Sequence, residues 1–457
     1  MKTLLKNGTV VSGDMSVIED VLIDGEKIVK VGRNLEAEDA QVVDVNGKLL
    51  FPGFIDGHTH FDLEVAGTVT ADDFETGTRA AIAGGTTLVI DYASQDKGGH
   101  TLKEGLEKWH KKADGKCSCD YSFHMSVVEW NEETEREIQD MINEGITSFK
   151  LYMTYPAMIV DDGDLYKIIK KLNEYGCFAG VHCENAGAID ALIAEAKKEG
   201  RLGPENHPLV RPDIMEAEAV HRLLVIADAA DAPVMVVHLT NRKAFEEVMR
   251  ARMNGQKVYA ETCPQYLLMD DSLYELPGFE SAKYVCAPPL RKKEDQDCLW
   301  KGLADGTIQT VSTDHCSFTT EQKKLGEGDF TKIPGGMPGA ETRGTLIYTY
   351  GVDKDRITKE DMCRVLSENP AKLYGLYPRK GVIAPGSDAD LVIMRTGVED
   401  VITAKDQVQN VDYAPFEGTK VTGRVVSVFL RGLQAVKDGK VVEEKKGEFL
   451  KRGKYAL

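Results

Sequence analysis

Hydrophobic and polar positions along the chain follow two rhythms, and the change between them falls near Phe51. The first fifty residues alternate short β-patterned runs with glycine or charged turns. These runs are Leu4–Val11, Val17–Ile23, Lys27–Val31 and Gln41–Val45. From Phe51 onward, short apolar runs alternate with stretches of helical period, a pattern that is typical of a parallel sheet built from βα units.

Eight of these apolar runs follow one another before the pattern changes again. They are Phe54–His60, Thr87–Tyr92, Tyr121–Val128, Ser148–Tyr152, Phe178–Cys183, Val234–Leu239, Lys257–Thr262 and Ile308–Thr313. Stretches of helical period lie between them, such as Glu132–Glu144, Asp164–Tyr175, Ala217–Ala230 and Lys243–Met253. Eight strands with intervening helices predict an α/β fold, a TIM-like (β/α)8 barrel.

Strand patterning returns after a helix predicted over Asp361–Tyr374. The later runs are Ala389–Met394, Val421–Leu430, Ala435–Lys437 and Lys440–Val442. Because each flanking β region is too small to bury a core alone, we expect a small β-sandwich formed by the N- and C-terminal segments. The predicted division is residues 1–52 for the N-terminal part of the sandwich, 53–380 for the catalytic barrel, and 381–457 for the C-terminal part and a tail.

Composition narrows the class of protein. Of the 457 residues, 42% are hydrophobic and 28% charged, as in soluble globular proteins. A net charge of −18 argues against a nucleic-acid partner, since phosphate binding needs clustered Lys and Arg. No stretch approaches a membrane span and the N-terminus has no signal-like apolar segment, so we expect no membrane partner. The nine irregularly spaced cysteines predict reduced thiols and a cytoplasmic location.

Polar residues fall where the apolar runs end. His58 and His60 close the first run and, two residues apart on a strand, project to the same face. His182 and His238 close the fifth and sixth runs, and Asp314 follows the eighth. Barrel enzymes place their catalytic groups at the carboxyl ends of strands, and imidazole with carboxylate is a common set of metal ligands. A lone histidine at a strand end is usually structural, but this set predicts a metal centre.

Lys150 lies within the apolar run Ser148–Tyr152. A lysine there is disfavoured unless its charge is compensated. One interpretation is a buried ion pair or a side chain that reaches the barrel rim. The other is a lysine carboxylated by carbon dioxide, whose carbamate is an anionic oxygen donor able to bridge two cations. Spacing and composition leave both open.

Motifs spread over the whole chain resemble a known family. Phe51-Pro-Gly-Phe-Ile-Asp-Gly-His-Thr-His60 resembles the opening signature of the amidohydrolase superfamily, and Asn369–Pro378 with Pro385–Val392 resembles its closing one. Five further stretches resemble the dihydropyrimidinase/hydantoinase family. They are Asp72–Thr78, Gly84–Thr87, Ser148–Tyr152, Glu261–Leu267 and Pro338–Arg343.

The resemblance implies a metal-dependent enzyme that opens a cyclic amide ring. It implies two divalent metal ions per subunit, most simply zinc, with manganese or cobalt as alternatives. One ion would be held by His58 and His60 with Asp314. The other would be held by His182 and His238, and N6-carboxylated Lys150 would bridge the two.

Further roles come from the same resemblance. Asp314 would also transfer a proton, and Tyr155 matches the family tyrosine that polarises the substrate carbonyl. Ala287 and Gly335 replace a serine and an asparagine that are common in the family, at positions that contact the substrate ring largely through the main chain. Leu63 and Val65, in the loop after the first run, would line the pocket beside the ring.

The predicted function is hydrolysis of hydantoins or dihydropyrimidines to N-carbamoyl amino acids. Dihydroorotase-like enzymes carry an arginine where this chain has Asp62, so an acidic ring substrate is disfavoured. An allantoinase-like activity is an alternative, although allantoinases lack a match to Tyr155. A non-catalytic dihydropyrimidinase-like scaffold is a second alternative, disfavoured because all six ligand positions are filled.

Two expectations concern partners. The substrate is expected to be a small neutral cyclic ureide, because the loops after the first and fourth runs offer mainly apolar and aromatic side chains. Relatives by resemblance are usually homotetramers, and the polar segment Glu443–Leu457 looks like an extension available for subunit contact that would be poorly ordered alone. We therefore expect a homotetramer.

Overall fold

The N-terminal segment forms strands, as its alternating pattern predicts. The computed structural model describes residues 2–457. Its first five strands are β1 (Lys2–Val11), β2 (Ser16–Asp24), β3 (Lys27–Gly32), β4 (Ala40–Asp44) and β5 (Leu49–Pro52). The strand β5 was not expected, because Leu49 to Phe54 reads as one apolar run; Gly53 divides it, its amide donating to the carbonyl of Asp390.

Eight parallel strands form the second sheet, which confirms the (β/α)8 barrel. The strands of this region in chain order are β6 (Phe54–Thr59), the hairpin strands β7 (Glu64–Val65) and β8 (Thr68–Val69), β9 (Thr86–Ser94), β10 (Asp120–Ser126), β11 (Ser148–Tyr152), β12 (Phe178–His182), β13 (Val234–Val236), β14 (Val258–Thr262) and β15 (Thr310–Val311). Apart from the hairpin, each strand pairs with its neighbour in sequence, from β6 through β9 to β15.

Helices cover the outside of this barrel. They are α1 (Phe74–Ala83), α2 (Leu102–Ala113), α3 (Glu132–Asn143), α4 (Asp162–Glu174), α5 (Ala186–Lys198), α6 (His207–Val210), α7 (Asp213–Ala229), α8 (Arg242–Met253), α9 (Pro264–Leu268), α10 (Lys293–Ala304), α11 (Thr320–Lys323), α12 (Arg343–Ile347), α13 (Lys359–Cys363) and α14 (Asn369–Leu373). The helix predicted over Asp361–Tyr374 is divided by a π-helical turn at Arg364–Glu368. Pro370 follows this turn and has no N–H for a regular helical hydrogen bond.

The two ends of the chain meet in one sheet. The remaining strands are β16 (Leu391–Val401), β17 (Lys420–Leu430), β18 (Leu433–Lys437) and β19 (Lys440–Val441). Strand β5 pairs with β1 on one side and with β16 on the other, so it joins the terminal segments. This confirms the small β domain built from both termini, and the β5–β16 pairing supports our proposal that the domain boundaries lie at residues 52 and 380.

The barrel closes between β6 and β15 mainly through side chains, beside a single main-chain bridge in which the His60 amide donates to the His315 carbonyl at 2.8 Å. Asp56 accepts hydrogen bonds from the Thr313 amide (3.1 Å) and hydroxyl (2.7 Å). Arg343, fully buried, donates from Nη1 to the carbonyls of Ile55 (2.7 Å) and Val311 (2.8 Å). Because these groups take over the hydrogen bonds of the seam, β15 is only two residues long where a six-residue run was predicted.

The C-terminal tail lies along its own barrel. The Tyr121 amide donates to the Glu448 carbonyl and the Leu450 amide donates to Tyr121. Arg452 is buried at the amino-terminal end of the barrel, where it donates to the Ser148 hydroxyl at 2.7 Å. Within residues 2–457 no helix is long and apolar enough to cross a membrane.

Candidate metal centre

Three of the predicted ligands converge at the carboxyl end of the barrel. His58 is the next-to-last residue of β6 and fully buried, and His60 lies one residue beyond the end of the strand. The Nε2 atoms of both histidines lie 3.2 Å from the same carboxylate oxygen of Asp314, Oδ1. His60 and Asp314 each keep 14% of the side chain exposed, so this side of the cluster opens toward solvent. The three groups can hold one cation.

The other two predicted histidines lie beside the first three residues. His182 is the last residue of β12, and His238 comes two residues after β13. Their ring centroids are 4.5 Å apart, and the His58 and His238 rings are 5.3 Å apart. His238 Nδ1 is buried and has no hydrogen-bond partner in the described part of the chain. An orphaned imidazole nitrogen at this position fits a site that binds a cation.

Lys150 lies between the two groups of histidines. Its Nζ is 3.4 Å from His58 Nε2 and faces the rings of Tyr92 and Tyr152 at 4.8 and 5.2 Å. Within residues 2–457 no carboxylate forms a salt bridge with it, which removes the ion-pair interpretation, and full burial removes that of a side chain reaching the rim. Burial lowers the pKa of Lys150, which increases the share of neutral amine.

Burial also keeps the imidazoles neutral. Desolvation, with the nearby Lys150, holds the pKa of His58 well below its usual range. Desolvation and the neighbouring His182 do the same for the pKa of His238. Neutral imidazole is the form that binds a metal ion, so the electrostatics match the chemistry of the ligand set.

Two buried carboxylates that the sequence reasoning missed hold these histidines. Glu261, in β14, places Oε1 2.6 Å from His58 Nδ1. Glu184 places Oε2 2.7 Å from His182 Nε2 and 2.7 Å from Arg211 Nη1. Burial raises the pKa of Glu261. Burial acts in the same direction on Glu184, but Arg211 and His182 outweigh it and hold the pKa of Glu184 well below its usual range. Carboxylates of this kind fix the ring orientation and tautomer of metal-binding histidines.

His315, which is not among the predicted site residues, holds the loop that carries Asp314. Its Nδ1 accepts hydrogen bonds from the amides of Gly339 and Ala340, both at 3.1 Å. Nε2 therefore carries the proton and donates to Asp72 Oδ2 at 3.0 Å. The signal available in the sequence was its place directly after the predicted ligand, within a buried loop.

Backbone strain gathers at the same place. Tyr155, His238 and Asp314 have φ angles of +68°, +38° and +52°, in the left-handed region that side chains with a Cβ rarely adopt. Such strain persists when the surroundings overdetermine it, and it clusters at functional sites. The Tyr155 ring lies 5.1 Å from the His182 ring, and the Arg211 guanidinium lies 5.8 Å from the Tyr155 ring centroid. The structure thus brings Tyr155 next to the candidate ligands.

The four predicted pocket residues fall into two groups. Ala287, before the cis Pro288, and Gly335 belong to segments joined by a hydrogen bond of 2.9 Å from the Gly336 amide to the Val285 carbonyl. Gly335 is exposed, and a Cβ there would meet open space. Leu63 lies just before the β7–β8 hairpin and Val65 lies on it, with Val65 39% exposed. Their contact with substrate stays a prediction.

A barrel with four histidines, a lysine and an aspartate at its carboxyl end defines a class of hydrolases, and comparison with known protein families agrees. The model of the amidohydrolase family matches residues 49–442. The chain belongs to the amidohydrolase family.

Relatives place it in one group of that family. A D-hydantoinase of Geobacillus stearothermophilus is 46% identical over 100% of this chain and 97% of its own length. A D-hydantoinase of Streptomyces coelicolor is 44% identical over 94% and 93%. The crystal structure of a dihydropyrimidinase from Brevibacillus agri matches with a TM-score of 0.99 at 44% identity, covering both chains completely. The resemblance to the hydantoinase group is therefore confirmed, and with it a cyclic amidohydrolase.

Proposed function

We propose that this enzyme hydrolyses the cyclic amide bond of hydantoins or dihydropyrimidines and releases N-carbamoyl amino acids. The observation that carries the proposal is the convergence of five neutral or anionic ligand groups around one buried lysine, Lys150. Relatives named D-hydantoinase, at 40–46% identity, support hydantoins as substrates and a preference for the D enantiomer.

The same groups suit two divalent metal ions per chain. We propose that His58, His60 and Asp314 hold one ion and that His182 and His238 hold the other. Nitrogen and oxygen donors of this kind suit zinc, and manganese or cobalt are compatible with them. The orphaned Nδ1 of His238 supports a cation here, because a buried nitrogen without a partner is otherwise costly.

We propose that Lys150 is N6-carboxylated, which would add an anionic oxygen donor for the two ions. The neutral amine attacks the carbon of carbon dioxide, a C–N bond forms, one C=O electron pair moves to oxygen, and the nitrogen loses a proton. The product is a carbamate with one negative charge. Lys150 forms no salt bridge within residues 2–457 and burial lowers its pKa, and both favour this reaction.

The chemistry of ring opening divides among a few groups. Two divalent metals, when bound, supply activation of a water molecule and polarisation of the ring carbonyl. Asp314 accepts the proton that the attacking water releases and delivers it to the departing ring nitrogen. The hydroxyl of Tyr155 donates a hydrogen bond to the oxyanion that develops on the carbonyl. Glu261 and Glu184 keep the histidines in their orientations.

The alternatives receive less support. Asp62 occupies the position where a dihydroorotase-like enzyme would carry arginine, so an anionic ring lacks its partner there. Tyr155 lies beside His182, which favours the hydantoinase group over an allantoinase-like activity. The scaffold alternative would require missing ligands, whereas all the predicted ligand residues meet at one place.

We further propose a homotetramer in the cytoplasm. All nine cysteines are free thiols, which supports a reducing compartment. Because the tail from Glu443 lies on its own barrel, a subunit contact through it would involve an already ordered surface. Light scattering should report four chains at micromolar concentration, and a monomer would contradict the proposal.

The test compares four rings on one preparation. Purified protein should contain close to two divalent ions per chain and should open 5-phenylhydantoin and dihydrouracil. It should turn over allantoin and dihydroorotate far more slowly. Chelation should abolish the activity and added zinc should restore it. Undiminished turnover by metal-free protein, or a preference for dihydroorotate, would contradict the proposal.

A further inference from the structure

Lys323 is a second buried lysine, outside the candidate metal centre. It ends α11 in the region that follows β15, and its side chain has no exposed surface. No carboxylate is among the groups that raise its pKa, which are the thiols of Cys286 and Cys316. Burial lowers the pKa of Lys323, so the charged form depends on acceptors for its N–H groups. A buried ammonium without a counter-ion is costly, so its surroundings must compensate it.

Three main-chain carbonyls compensate it. Nζ donates to the carbonyl oxygens of Pro334 at 2.7 Å, Gly336 at 2.8 Å and Val285 at 3.1 Å. An ammonium has three N–H donors, so every donor has an acceptor. The acceptors belong to two chain segments about fifty residues apart, Val285–Ala287 and Pro334–Gly336. One side chain therefore ties the two segments together.

The second segment is also held from its other side. Gly336 has φ +147°, and a Cβ there would lie 2.3 Å from the carbonyl oxygen of Cys316. The Cys316 amide donates to the Met337 carbonyl at 3.1 Å. The segment Pro334–Gly336 is thus packed between Lys323 and the chain that leads from Asp314. Gly336 is therefore held on two sides, while Gly335 beside it faces open space.

The same two segments carry positions assigned to the substrate. Gly335 lies between two of the carbonyls that Lys323 binds, and Ala287 lies two residues after the third. In the proposed function both positions contact the ring through main-chain groups. Since main-chain groups cannot change rotamer, their placement depends on the position of the whole segment.

We propose that Lys323 is a positioning residue for the cyclic ureide, whose ammonium holds Val285–Ala287 and Pro334–Gly336 at the separation that the ring requires. It contacts neither the substrate nor the candidate metal ligands. The inference rests on the proposed function, because the ring contacts of Ala287 and Gly335 belong to that proposal. Its effect should appear in substrate binding, with little change in the chemical step.

The test starts with Lys323→Met, which keeps length and removes all three donors. KM for 5-phenylhydantoin should rise about tenfold or more with kcat within about threefold, because uniform binding is lost. Metal content should stay at the wild-type value. Lys323→Gln supplies two N–H donors and should recover part of the loss; if Lys323→Met does not fold, the Gln variant carries the test.

Two controls separate positioning from general stability. Lys324→Met changes the next residue, whose exposed Nζ pairs with Glu321 at 3.1 Å, and should leave KM unchanged. Leu172→Ala opens a cavity in α4, a helix on the barrel wall, and should lower the melting temperature without raising KM. A folded Lys323→Met enzyme with wild-type KM would overturn the inference.

Hydrogen exchange provides a readout that needs no substrate. The amides of Val285 and of Gly335 to Met337 should exchange faster in Lys323→Met than in wild type, and at the wild-type rate in Lys324→Met. Unchanged exchange would also overturn the inference. If the wild type opens no cyclic ureide while exchange changes as expected, the proposed function fails and the fixing of the two segments stands.

Discussion

Replacing Glu261 with Gln should weaken metal binding specifically. Oε1 of Glu261 lies 2.6 Å from His58 Nδ1, and neither side chain has exposed surface. The carboxylate keeps the proton on Nδ1, so Nε2, 3.2 Å from Asp314, keeps its lone pair for a metal ion. A glutamine has nearly the same shape, but it lacks the negative charge and can present its own N–H to Nδ1, which favours the wrong tautomer.

The size of the effect follows from the contact. Loss of a carboxylate that orients a metal-binding histidine lowers metal affinity by roughly 10- to 100-fold. This corresponds to about 1.4–2.7 kcal/mol of binding free energy. The same carboxylate also faces the His238 amide at 3.3 Å, so both proposed metal positions should be affected.

Competition with a chelating indicator measures the zinc affinity of each protein at neutral pH, and thermal unfolding of metal-free samples measures stability. The matched control is Glu247→Gln, which changes a histidine–carboxylate pair of similar length (2.9 Å to His221) on the surface. It should leave zinc affinity unchanged. A Glu261→Gln protein with wild-type affinity and lowered metal-free stability would show that this carboxylate only packs the barrel.

Three further predictions concern other parts of the molecule. Lys150→Ala should reduce the metal content to below one ion per chain and abolish activity, and a short carboxylic acid should partly restore both. An active wild-type protein whose intact mass lacks the carbon dioxide adduct would contradict this. Val65→Phe should lower turnover of 5-phenylhydantoin while leaving dihydrouracil nearly unchanged, because Val65 lies exposed on the rim hairpin; equal loss on both would contradict the placement. Burial raises the pKa of Glu341 from 4.5 to about 7, so the folded protein binds this proton more tightly than the unfolded chain does. The resulting stability is fully present below pH 4.5 and is lost as the pH rises to 7. Between pH 4.5 and 7 the free energy of unfolding of the wild type should fall by about 3 kcal/mol relative to that of Glu341→Gln. Urea denaturation measures both, and unfolding free energies that change with pH in parallel would refute the prediction.

Much of the architecture could be predicted from local pattern. The eight barrel runs span five to eight residues each, and a strand buried on both faces reads as a continuous apolar stretch. The same pattern marks where each strand ends, so a polar residue such as His182 or Asp314 is noticed because it interrupts the run. The strand β5 was missed because its four residues, Leu49–Pro52, merge with the apolar run that becomes β6.

Long-range partners could not be predicted in this way. Glu261 and His58 are 203 positions apart, and their contact depends on where β14 and β6 stand around the barrel. Glu184 follows His182 by two residues and lies directly after the same apolar run, a weaker signal that could have suggested its role. The ordered tail was missed because Glu443–Leu457 is polar, and its docking depends on Arg452 finding acceptors at the far end of the barrel.

The seam between β6 and β15 has a consequence for the order in which the protein assembles. Asp56 and Thr313 are 257 positions apart, and closing so long a segment has a large entropic cost that only the finished barrel can offset. His58 and His60 lie on one side of this seam and Asp314 on the other. A chain that has formed most of its βα units but has not closed therefore lacks the first three-residue ligand set. We expect metal uptake to follow barrel closure during refolding, so the metal content of a preparation counts the molecules whose folding is complete.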